Sequence, residues 1–165
     1  MNNAQRPTLQ PGQESVWDYP RPPRVELTSK RVEVVFNGIV IASTVRAIRV
    51  LETSHPPAYY LPPDDVQMQY FIPTERHTQC EYKGQASYYT IQVGEKRAVN
   101  GAWYYPTPNS GYEAIAGYIS LYPGRMDICT IDGETVQPQE GDFYGGWITS
   151  NIVGPFKGGA GTWGW

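Results

Sequence analysis

Apolar residues recur mainly at every second position, in short runs broken by glycine, proline, Asn-Gly or Asp-Gly. A period of two belongs to half-buried strands, not to amphipathic helices. Arg31-Val32-Glu33-Val34-Val35-Phe36 and Ile39-Val40-Ile41-Ala42-Ser43 flank Asn37-Gly38. Both turn residues tolerate positive φ, so the spacing predicts a hairpin with a two-residue type I′ turn. Residues 44–51 are ambiguous: Val45, Ile48 and Leu51 have helical spacing behind a Ser43 or Thr44 cap, which allows a short helix. The run from Glu52 to His55 before Pro56-Pro57 ends that segment, because a residue preceding proline avoids the helical region.

Further on, residues 58–61 predict a short strand closed by Pro62-Pro63. Val66, Met68, Tyr70 and Ile72 alternate with Gln67, Gln69 and Phe71, which predicts a strand stopping at Pro73. Tyr89, Ile91 and Val93 share one face of the next strand, with Tyr88, Thr90 and Gln92 on the other. Gly94-Glu95-Lys96 turns the chain back into residues 98–105, where Trp103 and Tyr105 point the same way. One helical turn at residues 113–116, short strands near 118–122 and 127–131, and a turn at Asp132-Gly133 complete the body. Strands at short intervals without long helices between them predict a mainly β fold: a single antiparallel domain, sandwich or barrel, over residues 31–137.

The ends are built differently. Residues 1–30 are proline-rich yet carry Trp17 and Tyr19, and residues 138–165 interleave glycine with aromatics. Proline stiffens the first segment into extended chain, and bare linkers do not carry tryptophans. Both read as arms strapped over the body, or else as partner-binding segments.

Composition narrows the function classes. With 165 residues, 17 glycines and 15 prolines, the chain is one turn-rich domain large enough for a core of its own. A net charge of −3 and a pI near 5.4 argue against a nucleic-acid surface. No apolar run approaches the roughly 18 residues of a membrane span. No signal-like segment opens the chain, and two cysteines do not make a disulfide framework, so a reducing cytoplasm is the expected home.

The stretch His77-Thr78-Gln79-Cys80-Glu81-Tyr82-Lys83-Gly84 concentrates reactive side chains. Cys80, near His77 and Lys83, is a candidate nucleophile if held as thiolate, set against the ordinary reading of a small buried residue. Lys83 suits an anionic ligand or an ion pair with Glu52, set against a solvated turn lysine. Glu52 and His55 lie three apart on a proline-stiffened bend, where His55 is a candidate general base oriented by Glu52, or a polar latch. Tyr60, Tyr88, Trp103 and Tyr105 come from strands able to neighbour one another and would wall a cleft for a flat or cationic small molecule. The spatial expectation is that the Lys83 turn and the His55 bend face each other across that hollow. No metal or other cofactor is expected: His77 and Cys80 lack a second ligand pair, and the glycines from 154 to 161 lack the Gly-Lys-Ser/Thr of a phosphate loop.

Taken together, Val32-Glu33-Val34-Val35-Phe36-Asn37-Gly38, Arg49-Val50-Leu51-Glu52-Thr53-Ser54-His55-Pro56-Pro57, Thr78-Gln79-Cys80-Glu81-Tyr82-Lys83-Gly84 and Ala116-Gly117-Tyr118 resemble the bacterial DUF427 family. The arms are similar to those of one of its subgroups. The resemblance implies a compact, mostly antiparallel β domain of β-tent type. The paired Cys-x-x-Cys zinc ligands of that architecture are absent, so no metal carries over. A nucleotidyltransferase label attaches to the family, but Asp64-Asp65 reads as a turn after Pro62-Pro63, not as a magnesium pair. The expected function is binding or processing of an unidentified small molecule, with no nucleic-acid or membrane partner and self-association left open. The alternative is an interaction module that docks through its tryptophan-bearing arms.

Overall fold

The computed structural model describes residues 6–141 and 143–165. The first five residues of the N-terminal arm, and Asp142 of the C-terminal arm, lie outside that range. Fifteen strands are present among the described residues, with single turns of 3₁₀ helix between some of them. None of the sheets closes into a barrel, and all the sheets within the body are antiparallel.

The arm begins with β1 (Glu14–Ser15), and β2 (Arg24–Leu27) follows. The hairpin of β3 (Val32–Phe36) and β4 (Ile39–Thr44) turns at Asn37 and Gly38, with φ of 47° and 77°. Next come β5 (Ile48–Leu51) and β6 (Ala58–Tyr60), then three long strands, β7 (Phe71–Cys80), β8 (Gly84–Val93) and β9 (Lys96–Tyr104). The remainder are short: β10 (Ser120–Leu121), β11 (Ile128–Ile131), β12 (Glu134–Thr135), β13 (Gln137–Pro138), β14 (Trp147–Ile148) and β15 (Ile152–Val153).

They form a sheet of order β12-β11-β3-β4, a second of order β10-β9-β8-β7 and a third of order β2-β5-β6. Alternation along β8 and β9 divides the interior in two. Tyr89, Ile91, Val93, Ala98, Ala102 and Tyr104 pack with β3, β4 and β11 in the larger core. Ala86, Tyr88, Trp103 and Tyr105 pack with Ile48, Val50 and Tyr60 of the third sheet in a smaller one. In the larger core, burial pushes the Cys129 thiol up to about 12, which leaves it inert at neutral pH.

Three local expectations are corrected. The helical spacing over residues 44–51 yields a strand, because all four residues of β5 are buried between neighbouring strands and no exposed helix face is left to serve. The strand expected to stop at Pro73 instead begins at Phe71, after a 3₁₀ turn, and runs to Cys80. Proline fits there because β7 is an edge strand and its register shifts between Pro73 and His77. The body also starts before residue 31, since β2 pairs along its whole length with β5.

Both arms pack on the body and on each other. β1 runs parallel to β15, and Val16, Tyr19, Leu51 and Ile152 form a third cluster, with Trp17 and Phe156 against it. The Trp17 indole N–H donates to the Pro155 carbonyl at 2.9 Å. Arg49 is the polar anchor. It reaches Glu14 of the arm at 2.5 Å and Glu26 of β2 at 2.6 Å, and the Tyr19 hydroxyl donates to Glu14 at 2.8 Å. Burial works against the Glu14 carboxylate, but Arg49 and Tyr19 outweigh it and hold its pKa below the usual carboxylate value.

Arg49→Leu strands two carboxylates beside a buried aliphatic chain. Because both keep partial access to water, the expected cost is about 2 kcal/mol in urea denaturation, below that of a fully buried pair. An unchanged urea midpoint would remove Arg49 as the anchor of the arm.

Candidate functional site

A cavity of about 260 Å³ opens beside the smaller core. Glu52 and His55 reach it from the bend after β5, and Tyr60 from β6. Cys80 lies at the end of β7 and Lys83 on the following turn, while Tyr88 comes from β8 and Trp103 and Tyr105 from β9 and its end. The Lys83 turn and the His55 bend therefore line one hollow with the four rings.

Each wall has a local cause. The Trp103 indole N–H donates to the Tyr60 hydroxyl at 3.2 Å, which fixes both rings. Tyr88 and Thr78 exchange a hydroxyl hydrogen bond of 2.9 Å across the β7–β8 pair. Asn109 holds the Lys83 turn by donating its backbone N–H to the Lys83 carbonyl at 2.9 Å and its side-chain amide to Tyr82 at 3.2 Å. The Lys83 Nζ lies 5.8 Å from the Tyr105 ring centre. Burial pushes the Tyr60 and Tyr105 phenols up, so both stay neutral.

The bend carrying His55 is stitched from both sides. The Thr53 and Ser54 N–H groups donate to Pro20 and Val16 of the N-terminal arm. The Ser54 and Pro57 carbonyls accept from Lys157 and Trp147 of the C-terminal arm, both at 2.8 Å. The arm residues Gln139, Phe143, Tyr144, Gly145, Gly146 and Lys157 complete the cavity. The Tyr144 ring lies edge-on to His55 at 4.8 Å, and the Lys157 Nζ is 5.3 Å from the centre of the Tyr144 ring. Gly145 presses against Trp103 so closely that a Cβ there would meet the indole at 2.2 Å.

Sequence reasoning picked out none of these arm residues for the site, nor Tyr122, whose ring lies 4.6 Å from Trp103. The interleaved aromatics marked the segment as a strap, but no spacing points Lys157 or Tyr144 at the Lys83 turn or the His55 bend, more than fifty residues upstream.

The charges differ from the expected pairings. Glu52 is bound by Arg21 of the N-terminal arm at 3.3 Å, and Arg21 also donates to the Thr53 carbonyl at 2.8 Å. Neither Lys83 nor Lys157 has an ion-pair partner among the described residues. Burial works against the Lys83 ammonium, yet Tyr60, Cys80 and Glu52 raise its pKa above the free value, so it is charged at neutral pH. His55 Nε2 is 3.6 Å from Glu52, too far for a hydrogen bond. Burial, followed by the charges of Lys157, Arg21 and Lys83, lowers its pKa from 6.5 to about 3. At neutral pH it is an uncharged imidazole and makes no salt bridge with Glu52. His77 lies elsewhere, on exposed β7, with Nδ1 3.2 Å from the Ser87 hydroxyl. No three His, Cys, Asp or Glu side chains gather as metal ligands among the described residues.

A histidine with a pKa lower in the folded than in the unfolded chain makes unfolding take up protons between the two values. The stability it confers is complete above about 6.5 and is lost as pH falls towards 3. Over that window the wild type should lose on the order of a few kcal/mol more than His55→Gln, measured by urea denaturation. In the proton NMR titration Lys157→Gln should raise the His55 pKa. An unmoved value would place Lys157 out of electrostatic reach.

The family model described as a domain of unknown function (DUF427) matches residues 24–132, well over half of the chain. No curated protein matches it. The match contains the whole of the third sheet, the long strands and the Lys83 turn, and ends before the arm that supplies Tyr144 and Lys157. The chain belongs to the DUF427 family.

Proposed function

We propose that the protein binds a small molecule in the cavity between the His55 bend and the Lys83 turn. The observation that carries this reading is the convergence of Tyr60, Tyr88, Trp103 and Tyr105 on the same cavity as a lysine without an ion-pair partner. Tyr60 packs on Trp103 and Tyr105 with ring centres 6.3 Å apart, and these rings form one side of a cavity of about 260 Å³, just below the roughly 300–1,000 Å³ of drug-sized sites. The ligand is therefore small, with a flat portion that lies among the rings.

Binding is favoured over catalysis by the state of His55. An efficient general base has a pKa near the working pH, and a base at about 3 accepts a proton poorly. Neutral His55 instead offers one donor and one acceptor to orient the ligand. Cys80 lines the cavity beside Lys83 and is available as a soft contact or nucleophile. Both cysteines are free, which suits a reducing cytoplasm, and no helix among the described residues is long and apolar enough to cross a membrane.

Lys83→Ala should weaken a fragment identified by screening by about tenfold or more, with Tm changed by less than about 3 °C. The screen is read on the His55 ring signals, alongside native mass spectrometry for a retained molecule. A large drop in Tm with binding unchanged would make Lys83 a structural residue and leave the cavity without a function.

Trp163, 98% exposed, favours a second reading in which the C-terminal end docks a partner protein. That reading predicts ready proteolysis after Lys157 in the isolated protein and protection in the presence of the partner. The pocket reading predicts that Lys157, bonded to the His55 bend, resists cleavage in the isolated protein at protease levels that cut exposed termini.

A further inference from the structure

Two ammonium groups on one small cavity, neither with a carboxylate partner among the described residues, need an explanation that the aromatic walls alone do not give. Resting on the pocket reading, we propose that the ligand is a one-ring organic anion, its carboxylate or phosphate gripped between Lys83 and Lys157 and its ring among Tyr60, Trp103 and Tyr105.

Aromatic walls by themselves suit a cation equally well. Here two of the rings bordering the cavity already have the protein's own ammonium groups near their faces, Lys83 at Tyr105 and Lys157 at Tyr144. Glu52, the carboxylate on the bend, is bound by Arg21. Glu81, the other carboxylate among the described lining residues, is solvent-exposed. An incoming cation would meet like charge, while an anion would meet two ammonium groups in a partly dehydrated setting where charge-assisted hydrogen bonds are strong. The same two lysines oppose protonation of His55, in addition to its burial.

Lys157 is built into place rather than left at the surface. Its N–H donates to the Ser54 carbonyl at 2.8 Å, and its own carbonyl accepts from the Gln139 side chain at 2.7 Å. The ammonium thus leaves a backbone fixed directly to the His55 bend. Because Lys157 lies beyond residues 24–132, the second half of the grip comes from outside the family domain. It sets specificity on a hollow whose rings and first cation the domain already supplies.

The test uses the full-length protein with benzoate, phenylphosphate, phenol and benzylamine, titrated by calorimetry and located by the His55 ring signals. At least one of the two anions should bind about tenfold tighter than phenol, with benzylamine weakest, and the preference between benzoate and phenylphosphate identifies the headgroup. Lys157→Gln should weaken that anion about tenfold and leave phenol unchanged, while Lys157→Arg retains binding. Raising the salt should weaken the anion alone. Phenol or benzylamine binding at the His55 site as tightly as the anions would overturn the anion grip while the pocket stands. Anion binding that leaves His55 unperturbed, or is indifferent to both Lys157→Gln and Lys83→Gln, would overturn it as well. No binding by any of the four probes would sink the inference, and an empty fragment screen would sink the pocket reading with it.

Discussion

The structure depends on the clamping of one bend, residues 52–57, between the two arms. Its backbone is irregular: Ser54 has a φ of 71°, unusual for a residue with a side chain, and prolines follow at 56 and 57. Such a bend has no sheet partner to satisfy its N–H and carbonyl groups, and a buried backbone group left unpaired costs about 1–3 kcal/mol. Val16 and Pro20 take the donors, and Lys157 and Trp147 supply the acceptors' partners. The arms therefore fix the part of the body with the least regular structure of its own, which is also where His55 and Glu52 sit.

That arrangement explains why the hollow stays open. Trp103 is held by the Tyr60 hydroxyl on one side and touched by Gly145 on the other, so it does not fold inward. His55 is braced by Tyr144 and kept neutral by burial, to which the surrounding positive charge adds. Rigid rings joined by hydrogen bonds span a gap that flexible aliphatic chains would fill. The lysines that add to the effect of burial on His55 also supply positive charge at the cavity, so its electrostatics and its shape have one source in the two segments facing it.

Much of this was legible in the sequence wherever the controlling forces are local. Asn37-Gly38 and Asp132-Gly133 dictate their turns through backbone conformation alone, and all four residues have positive φ. The alternation along β8 and β9 separated Tyr88 from Tyr89 and Ile91, which proves to be the division between two cores. Where tertiary context decides, the pattern misled. Ile48 and Leu51 keep helical spacing in a strand buried along its full length, and Pro73 sits inside an edge strand at an irregularity in register. Glu52 lay close to His55 in sequence and seemed its natural orienter, yet an arginine from the arm binds it instead. Lys157 and Tyr144 emerge from glycine-rich chain with no periodicity, so only folding reveals what they face.

Membership in the family and the full lining of the cavity rest on different parts of the molecule. Residues 24–132 contain every strand of the third sheet, the long hairpins and the Lys83 turn, and so determine the fold and the ring-lined floor. The matched domain on its own would hold the rings, Lys83 and His55, but neither Tyr144 over the imidazole nor Lys157 beside it. His55 would lose the Lys157 charge that opposes its protonation and the Tyr144 ring packed against it, and its pKa would lie nearer the ordinary value. The arm thus changes both the charge at the cavity and the proton affinity of His55, while the domain supplies the rings and Lys83.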